Sequence, residues 1–202
     1  MCNELQRIIS GESQVSFGAN IQAALRYLRA GEKSGSLAKA DKHFKREETT
    51  RLKAYIEAHR LWREDVDLSC YVSEGAEQKV YLKDSRSVIK LNDAIYYLSW
   101  ADYFVNLLLN NYFFPDTAYK LLGFFESENV VYAVVEQPFV KADEPTNLAL
   151  VEQFMNSNGF IKVRNNDYFN ARLGIILEDL HDENVLTNNG VLYFIDTVFY
   201  LK

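Results

Sequence analysis

Residues 173–199 constrain the fold of this chain more than any other stretch. Their apolar residues fall into three short runs, 173–177, 185–186 and 191–195, and Asn188-Asn189-Gly190 separates the last two. Asn and Gly tolerate positive φ at little cost, so this tripeptide is typical of a tight hairpin turn. The pattern therefore predicts a strand, a polar loop and a β-hairpin in this order.

An oxygen-bearing side chain stands at each end of the predicted hairpin. Asn184 precedes its first strand and Asp196 follows its second. If the strands pair about the turn, these two side chains come close together, with Asp179 on the preceding loop. Mg²⁺ prefers oxygen ligands and keeps water or phosphate in its coordination shell. The sequence therefore predicts a site for a hard cation such as Mg²⁺ at this end of the hairpin.

Composition bounds the size of the fold and excludes several classes of protein. The chain has 202 residues, of which 48% are hydrophobic, so it has room for one domain with a sizeable core, or for one small domain with an appendage. No apolar run approaches the roughly 20 residues that span a bilayer, and the N-terminus lacks a signal pattern. Cys2 and Cys70 are too few for a disulfide framework or a zinc site. We expect a cytoplasmic protein without a membrane partner.

The charge of the chain is unevenly distributed. Residues 1–70 hold 12 Lys/Arg and 10 Asp/Glu, whereas residues 71–202 hold 10 and 18. The negative C-terminal part makes nucleic acid an unlikely partner. A basic cluster in the N-terminal part is expected to be the solvent-exposed face of a helix, although it could contact an anionic partner. This cluster consists of Lys39, Lys42, Lys45, Arg46, Arg51 and Lys53.

The first 67 residues are predicted to form a helical region that carries no chemistry. The spacing of apolar residues predicts one helix around residues 21–28 and a longer one that ends near residue 62. The apolar positions of the longer helix predict three largely buried aromatic residues, Phe44, Tyr55 and Trp62.

The rest of the chain shows the pattern of an antiparallel sheet interrupted by helices. A helix is predicted over residues 92–110, and Thr146 is expected to cap another one that ends before Gly159. Besides those near the C-terminus, the predicted strands cover residues 69–73, 79–82, 87–91, 119–125 and 129–136.

These motifs resemble those of a known family. Residues 179–186, Asp-Leu-His-Asp-Glu-Asn-Val-Leu, resemble the catalytic loop of protein-kinase-like phosphotransferases, in the form found in aminoglycoside and other small-molecule kinases. Ile195-Asp196 is similar to the metal-binding segment that follows this loop, and Ser87-Val88-Ile89-Lys90 is similar to the third-strand Val-Ala-Ile-Lys. Together with the order of the predicted elements, they resemble the small kinase-like domain found in polyvalent proteins of bacterial mobile elements and phages.

The resemblance implies an α+β, protein-kinase-like fold with an antiparallel sheet over residues 68–202, preceded by a helical region over residues 1–67. It implies ATP and Mg²⁺ as ligands, and an unknown phosphoryl acceptor or protein partner. The implied site residues are Asp179 for the acceptor hydroxyl, Lys90, Gly75, Glu136 and Phe139 for the nucleotide, and Asn184 and Asp196 for the metal.

Departures from the family pattern leave other functions open. The glycine-rich loop keeps a single glycine, Gly75, and the predicted helix after Lys90 contains no glutamate, with Asp102 as its carboxylate. Only six residues follow Asp196, so the C-terminal lobe is expected to be truncated. The alternative to a phosphotransferase is therefore a catalytically degenerate kinase-like binding module, a pseudokinase. A third and weaker hypothesis is a metal-dependent hydrolase that uses Asp179, His181 and Asp182.

Overall fold

The computed structural model describes residues 2–31, 42–75 and 78–202. These ranges form an α+β fold with antiparallel sheets, which confirms the predicted fold class. The helices are α1 (Cys2–Ser10), α2 (Gly18–Ala30), α3 (Lys42–His59), α4 (Trp100–Phe113) and α5 (Leu148–Ser157), with a 3₁₀ turn at Pro115–Thr117. The strands are β1 (Tyr71–Glu74), β2 (Gln78–Leu82), β3 (Ser87–Asn92), β4 (Lys120–Ser127), β5 (Val130–Pro138), β6 (Ile161–Arg164), β7 (Asp167–Asn170), β8 (Ile175–Glu178), β9 (Val185–Asn188), β10 (Val191–Phe194) and β11 (Val198–Leu201).

Within the described ranges the strands form three sheets. The five-stranded sheet has the order β1-β2-β3-β5-β4, the four-stranded sheet has the order β11-β8-β7-β6, and β9 pairs with β10. The sequence predicted the strands of the first sheet and the β9–β10 hairpin. It missed β6, β7 and β11, because four residues are too few for a periodic pattern to stand out. None of the described helices is both long and apolar enough to cross a membrane.

One hydrophobic core joins the N-terminal helices to the sheets. The predicted face of α2 is fully buried, and it belongs to the same core as Phe104 of α4 and Phe124 of β4. Of the three aromatic residues expected inside, Tyr55 is buried, whereas Phe44 and Trp62 are half-buried. Helix α3 ends at His59, so Trp62 lies outside it, in the segment that leads to the five-stranded sheet.

The basic cluster is not a solvated helix face, because several of its members make tertiary contacts. The ammonium of Lys45 donates to the carbonyls of Ala94 and Tyr97, the latter at 3.0 Å, and burial lowers its pKa. Arg51 donates to the carbonyl of Gly31, and Lys53 pairs with Glu126 at 2.6 Å. The side chains of Lys39 and Lys42 lie outside the described residues.

Helix α4 begins at Trp100, eight residues later than the sequence predicted. Asn92 ends β3, and its Oδ1 accepts the N–H of Ala94 at 2.7 Å, which favours a turn over a helix. Ser99 then caps α4, because its Oγ accepts the N–H of Asp102 at 3.0 Å.

Helix α5 is capped by Asn147 and not, as expected, by Thr146. The Oδ1 of Asn147 accepts the N–H of Ala149 at 3.0 Å. Thr146 instead donates its hydroxyl to the carbonyl of Val185 at 2.6 Å, which fastens the start of α5 to strand β9. Gly159 follows the helix with a φ of 79°, as expected for a stop signal.

Residues 61–63 run beside β4 at the edge of the five-stranded sheet. Phe124 donates its N–H to the carbonyl of Leu61 at 2.9 Å, and its own carbonyl accepts the N–H of Arg63 at 2.7 Å. A Cβ added to Gly123, which has a φ of 154°, would come within 3.0 Å of the Leu61 oxygen. Glycine therefore permits the close approach of the two chain segments.

A buried carboxylate links α3 to the start of α4. Glu48 is fully buried, and its two oxygens accept the N–H groups of Trp100 at 2.6 Å and Ala101 at 3.0 Å. These donors belong to the first turn of α4, where N–H groups have no partner within the helix. Burial raises the pKa of Glu48, while the two hydrogen bonds oppose that shift by favouring the charged form.

We predict that Glu48→Ala destabilises the protein by roughly 2–4 kcal/mol, because it leaves two buried N–H groups without acceptors. Chemical denaturation of both proteins would measure the loss. Arg46→Ala, at an exposed position on the same helix, serves as the control and should stay within about 0.5 kcal/mol of the wild type. A Glu48→Ala variant as stable as that control would contradict the prediction.

Candidate functional site

A cleft of about 430 Å³ lies between the five-stranded sheet and the β9–β10 hairpin. Both of its walls carry apolar side chains, and polar side chains also line it. The sheet contributes Val72, Gly75, Gln78, Val80, Val88 and Lys90, residues 137–140 line the adjoining side, and the hairpin side contributes Asn184, Leu186, Ile195 and Asp196.

The β9–β10 hairpin brings Asn184 and Asp196 to the same cleft, as the sequence predicted. Asn188 pairs with Val191, and the turn residues Asn189 and Gly190 have φ of 49° and 73°. Positive φ at both central residues is the geometry of a type I′ turn, whose twist matches that of paired strands. Beyond the last pair of the ladder, the N–H of Ile195 donates to the carbonyl of Asn184 at 2.9 Å.

Lys90 is almost completely buried, on the β3 strand, and faces the cleft. Its ammonium donates to the carbonyl of Ile195 at 2.9 Å, and the hydroxyl of Tyr119 donates to the same oxygen at 2.8 Å. Burial lowers the pKa of Lys90, and the nearby charge of Asp196 acts in the opposite direction. Burial also raises the pKa of Tyr119 well above its ordinary value. The structure therefore places a buried cation beside the residue that precedes Asp196.

The carboxylate of Asp196 is held from the sheet side by a residue that the sequence reasoning missed. Gln78, the first residue of β2, donates its Nε2 to Oδ2 of Asp196 at 2.5 Å. Strand alternation was a usable signal, since Gln78 and Val80 share the face of β2 that lines the cleft. Gly75 also lines the cleft, but a Cβ there would meet no atom within 4 Å. The neighbouring residues 76 and 77 lie outside the described ranges.

Hydrogen bonds of buried polar side chains hold the chain on either side of Asp196. The hydroxyl of Thr197 donates to Oδ1 of Asn110 on α4 at 3.1 Å. The Nδ2 of Asn110 donates to the carbonyl of Thr117 at 3.3 Å, and the hydroxyl of Thr117 donates to the carbonyl of Phe194 at 2.5 Å. Thr197 thus has a structural role, because its hydrogen bond to Asn110 joins the residue after Asp196 to α4.

Asp179 lies on the adjoining loop, outside the lining of the cleft, and its carboxylate is held by two neighbours. Asn184 donates its Nδ2 to Oδ2 of Asp179 at 2.9 Å and to its carbonyl at 3.0 Å. The Nε2 of His181 lies 3.2 Å from Oδ1 of Asp179. Glu183 donates its N–H to Nδ1 of His181 at 3.2 Å, which holds the imidazole ring beside the carboxylate of Asp179.

Glu136 and Phe139, both expected to bind the nucleotide, differ in their position relative to the cleft. The carboxylate of Glu136 lies 3.0 Å from the ammonium of Lys83, and Glu136 is not among the residues that line the cleft. Phe139 does line it, and its N–H donates to the carbonyl of Arg86 at 2.8 Å. Gln137, which the sequence reasoning did not assign, lines the cleft between them.

The side chains present fit a nucleotide with a divalent cation. Apolar walls suit a base, and the buried ammonium of Lys90 suits phosphate oxygens. The amide nitrogen of Asn184 donates a hydrogen bond to Asp179. The amide oxygen of Asn184 could therefore bind a cation together with the carboxylate of Asp196, which lines the same cleft. In the described ranges, no group of three or more His, Cys, Asp and Glu could hold a metal, so the cation would need phosphate or water ligands as well.

A comparison with protein families identifies the fold to which this cleft belongs. The model of a family described as serine/threonine/tyrosine kinases found in polyvalent proteins matches residues 45–202. The chain belongs to this kinase family. No curated protein and no solved structure gives a significant match.

The kinase match includes every strand of the described ranges and all the site residues named above. It begins inside α3 and leaves α1 and α2 outside, although these helices share the core of the matched part. The division into a helical region over residues 1–67 and a kinase-like domain over residues 68–202 stays a prediction. Because the match begins at residue 45, Glu48 and its contacts to α4 belong to the matched part.

We predict that Lys90→Met stabilises the folded protein by about 1 kcal/mol or more near neutral pH, because it replaces a buried charge by an apolar side chain. The same change should remove affinity for nucleotide, because the ammonium is lost from the cleft. The lowered pKa of Lys90 means that the folded state loses this proton before the unfolded state does as pH rises. The gain from methionine should therefore shrink as pH rises from the folded pKa toward the ordinary value of 10.5.

Denaturation curves at several pH values would measure this gain, and calorimetric titration with ATP would measure affinity. Lys120→Met changes an exposed lysine on β4 of the same sheet and serves as the control. A Lys90→Met protein that is less stable than wild type at neutral pH would contradict the prediction.

Proposed function

We propose that this protein is an ATP- and Mg²⁺-dependent phosphotransferase that acts on a hydroxyl group. The observation that carries the proposal is the convergence of Lys90, Asn184 and Asp196 on one cleft, with Asp179 bonded to Asn184 beside it. Phosphoryl transfer depends mainly on positioning the groups and on neutralising charge. These four side chains offer a cation, two oxygen ligands and a carboxylate base.

Lys90 would bind phosphate oxygens of the nucleotide. One of its three N–H donors is used by the carbonyl of Ile195, so the others remain to face the cleft. The apolar walls formed by Val80, Val88 and Leu186 would enclose the base. Gly75 and Phe139 would contribute from the rim of the cleft, whereas Glu136 pairs with Lys83 and does not line the cleft.

Asn184 and Asp196 would hold Mg²⁺, which supplies positive charge next to the phosphates when it is bound. Asp179 would orient the acceptor hydroxyl and take its proton at a carboxylate oxygen. The hydrogen bond from Asn184 and the adjacent imidazole of His181 would fix the direction of that carboxylate before any acceptor arrives. An oriented base needs no rearrangement at the moment of reaction.

Two classes of acceptor have support. The family description favours a serine, threonine or tyrosine side chain. The similarity of residues 179–186 to the loop of aminoglycoside kinases favours a hydroxyl of a small molecule instead. We therefore propose that acceptor assays include both a protein substrate and hydroxylated small molecules.

A nucleotide-binding module without turnover is the second candidate. Two contacts favour it: the ammonium of Lys90 is bonded to a main-chain carbonyl, and Asp196 accepts from the amide of Gln78. Both contacts engage groups that a phosphotransferase needs for phosphate and for Mg²⁺. Both candidate functions include nucleotide binding, and they differ in whether Asp179 acts as a base.

We predict that Asp179→Asn leaves ATP affinity within about twofold of wild type but lowers phosphoryl transfer at least about a hundredfold, because only the base is lost. Asp196→Asn should instead weaken ATP binding in the presence of Mg²⁺ about tenfold or more, because it removes the charge opposite the cation. Calorimetric titration with and without Mg²⁺ measures binding, and a phosphate-transfer assay measures turnover.

Asp182→Asn is the matched control, since it neutralises an exposed carboxylate on the same loop as Asp179. Unchanged transfer in this variant would also exclude the hydrolase hypothesis, which needs Asp182. Wild-type protein that binds ATP and transfers phosphate to no acceptor would favour the binding module. Wild-type protein that does not bind ATP would contradict both candidates.

A further inference from the structure

The turn of the β6–β7 hairpin contacts the loop that carries Asp179. Oδ1 of Asp167 accepts the N–H of Asp179 at 3.2 Å, and the carbonyl of Asn166 accepts the N–H of Leu180 at 3.1 Å. Pairing of β7 with β8 brings the hairpin to this place, with Tyr168 opposite Leu177. Two successive N–H groups of the loop are therefore held by two successive residues of a turn that lies outside the kinase motifs.

The backbone of Asp179 needs such support because it is strained. Its φ is 68°, in the left-handed region that residues with a Cβ seldom adopt. A conformation of this kind has a free-energy cost and persists only where surrounding contacts determine it. The carbonyl of Asp179 accepts the N–H of His181 at 2.9 Å, and Leu180 is fully buried. The N–H of Asp179 is the remaining backbone group, and Asp167 binds it.

We propose that Asp167 is a positioning residue for Asp179. By accepting the backbone N–H, its carboxylate keeps Asp179 in the left-handed conformation and so directs the Asp179 side chain toward Asn184 and His181. This inference rests on the proposed function, because its catalytic consequence requires Asp179 to act as the base. The β6–β7 hairpin thereby becomes part of the active site without touching a substrate.

The negative charge of Asp167 offers a competing explanation for any effect of its loss. Asp167 and Asp179 both raise the pKa of the partly exposed Glu178, after the larger contribution from burial, so the three carboxylates share one region. Charge and geometry can be separated because asparagine keeps the Oδ1 acceptor and removes the charge. Asp167→Asn should preserve the positioning contact, and Asp167→Ala should abolish it.

The experiment compares Asp167→Ala and Asp167→Asn in the full chain, with Lys162→Ala as the control. Lys162 is an exposed residue on the same hairpin that pairs with Glu152 at 3.1 Å. We expect Asp167→Ala to lower kcat about tenfold while leaving KM for ATP within about twofold, because the base is misplaced and the nucleotide contacts are intact. Asp167→Asn and Lys162→Ala should stay within about twofold of wild type.

A second measurement does not depend on turnover. Hydrogen exchange of the Asp179 amide should speed up about tenfold or more in Asp167→Ala and remain at the wild-type rate in Asp167→Asn. Should Asp167→Ala fail to fold, Asp167→Leu, which also lacks an acceptor, takes its place under the same criteria. If wild-type protein shows no transfer, the proposed function fails, and amide exchange alone decides the positioning role. Unchanged exchange in Asp167→Ala, or an equal loss of kcat in the alanine and asparagine variants, would overturn the inference.

Discussion

The arrangement of the site depends on one main-chain oxygen, the carbonyl of Ile195. It accepts the ammonium of Lys90 from the five-stranded sheet and the hydroxyl of Tyr119 from the chain just before β4. A buried ammonium is costly unless hydrogen bonds replace those it made with water. This requirement draws the end of the β9–β10 hairpin toward the sheet and thereby sets the separation of the two cleft walls. The position of Asp196 follows, because it is the next residue along the chain.

The N-terminal helices support the site through contacts with helix α4. Glu48 on α3 binds the first N–H groups of α4, and Asn110 in the last turns of α4 binds the hydroxyl of Thr197 next to Asp196. A continuous series of contacts therefore runs from α3 through α4 to the proposed metal ligand. Most of α3 lies within the family match, and this helix shares one core with α1 and α2. The helical region therefore packs as part of the scaffold of the site.

The sequence predicted features that depend on neighbours along the chain and missed those that depend on contacts between distant residues. The Asn189-Gly190 turn could be recognised because its conformation is encoded by two adjacent residues, and it brought Asn184 and Asp196 together as expected. The acceptor role of Glu48 could not be recognised, because a glutamate that faces a helix start some fifty positions away has no local signature. Lys45 and Arg51 looked like solvated charges for the same reason. The contacts of Gln78 and Asp167 with the site likewise appear only once the sheets are assembled.

The approach of residues 61–63 to β4 has a consequence for how molecules of this protein meet one another. An unpaired outer strand presents backbone donors and acceptors that can pair with another chain, which is a common start of aggregation. Here the bonds of Phe124 to Leu61 and Arg63 occupy part of that side of β4, and Gly123 makes the fit sterically acceptable. The absence of a Cβ at Gly123 thus affects the tendency of the protein to aggregate as well as its packing. A bulkier residue there would push the covering segment away and leave a hydrogen-bonding edge exposed to other copies.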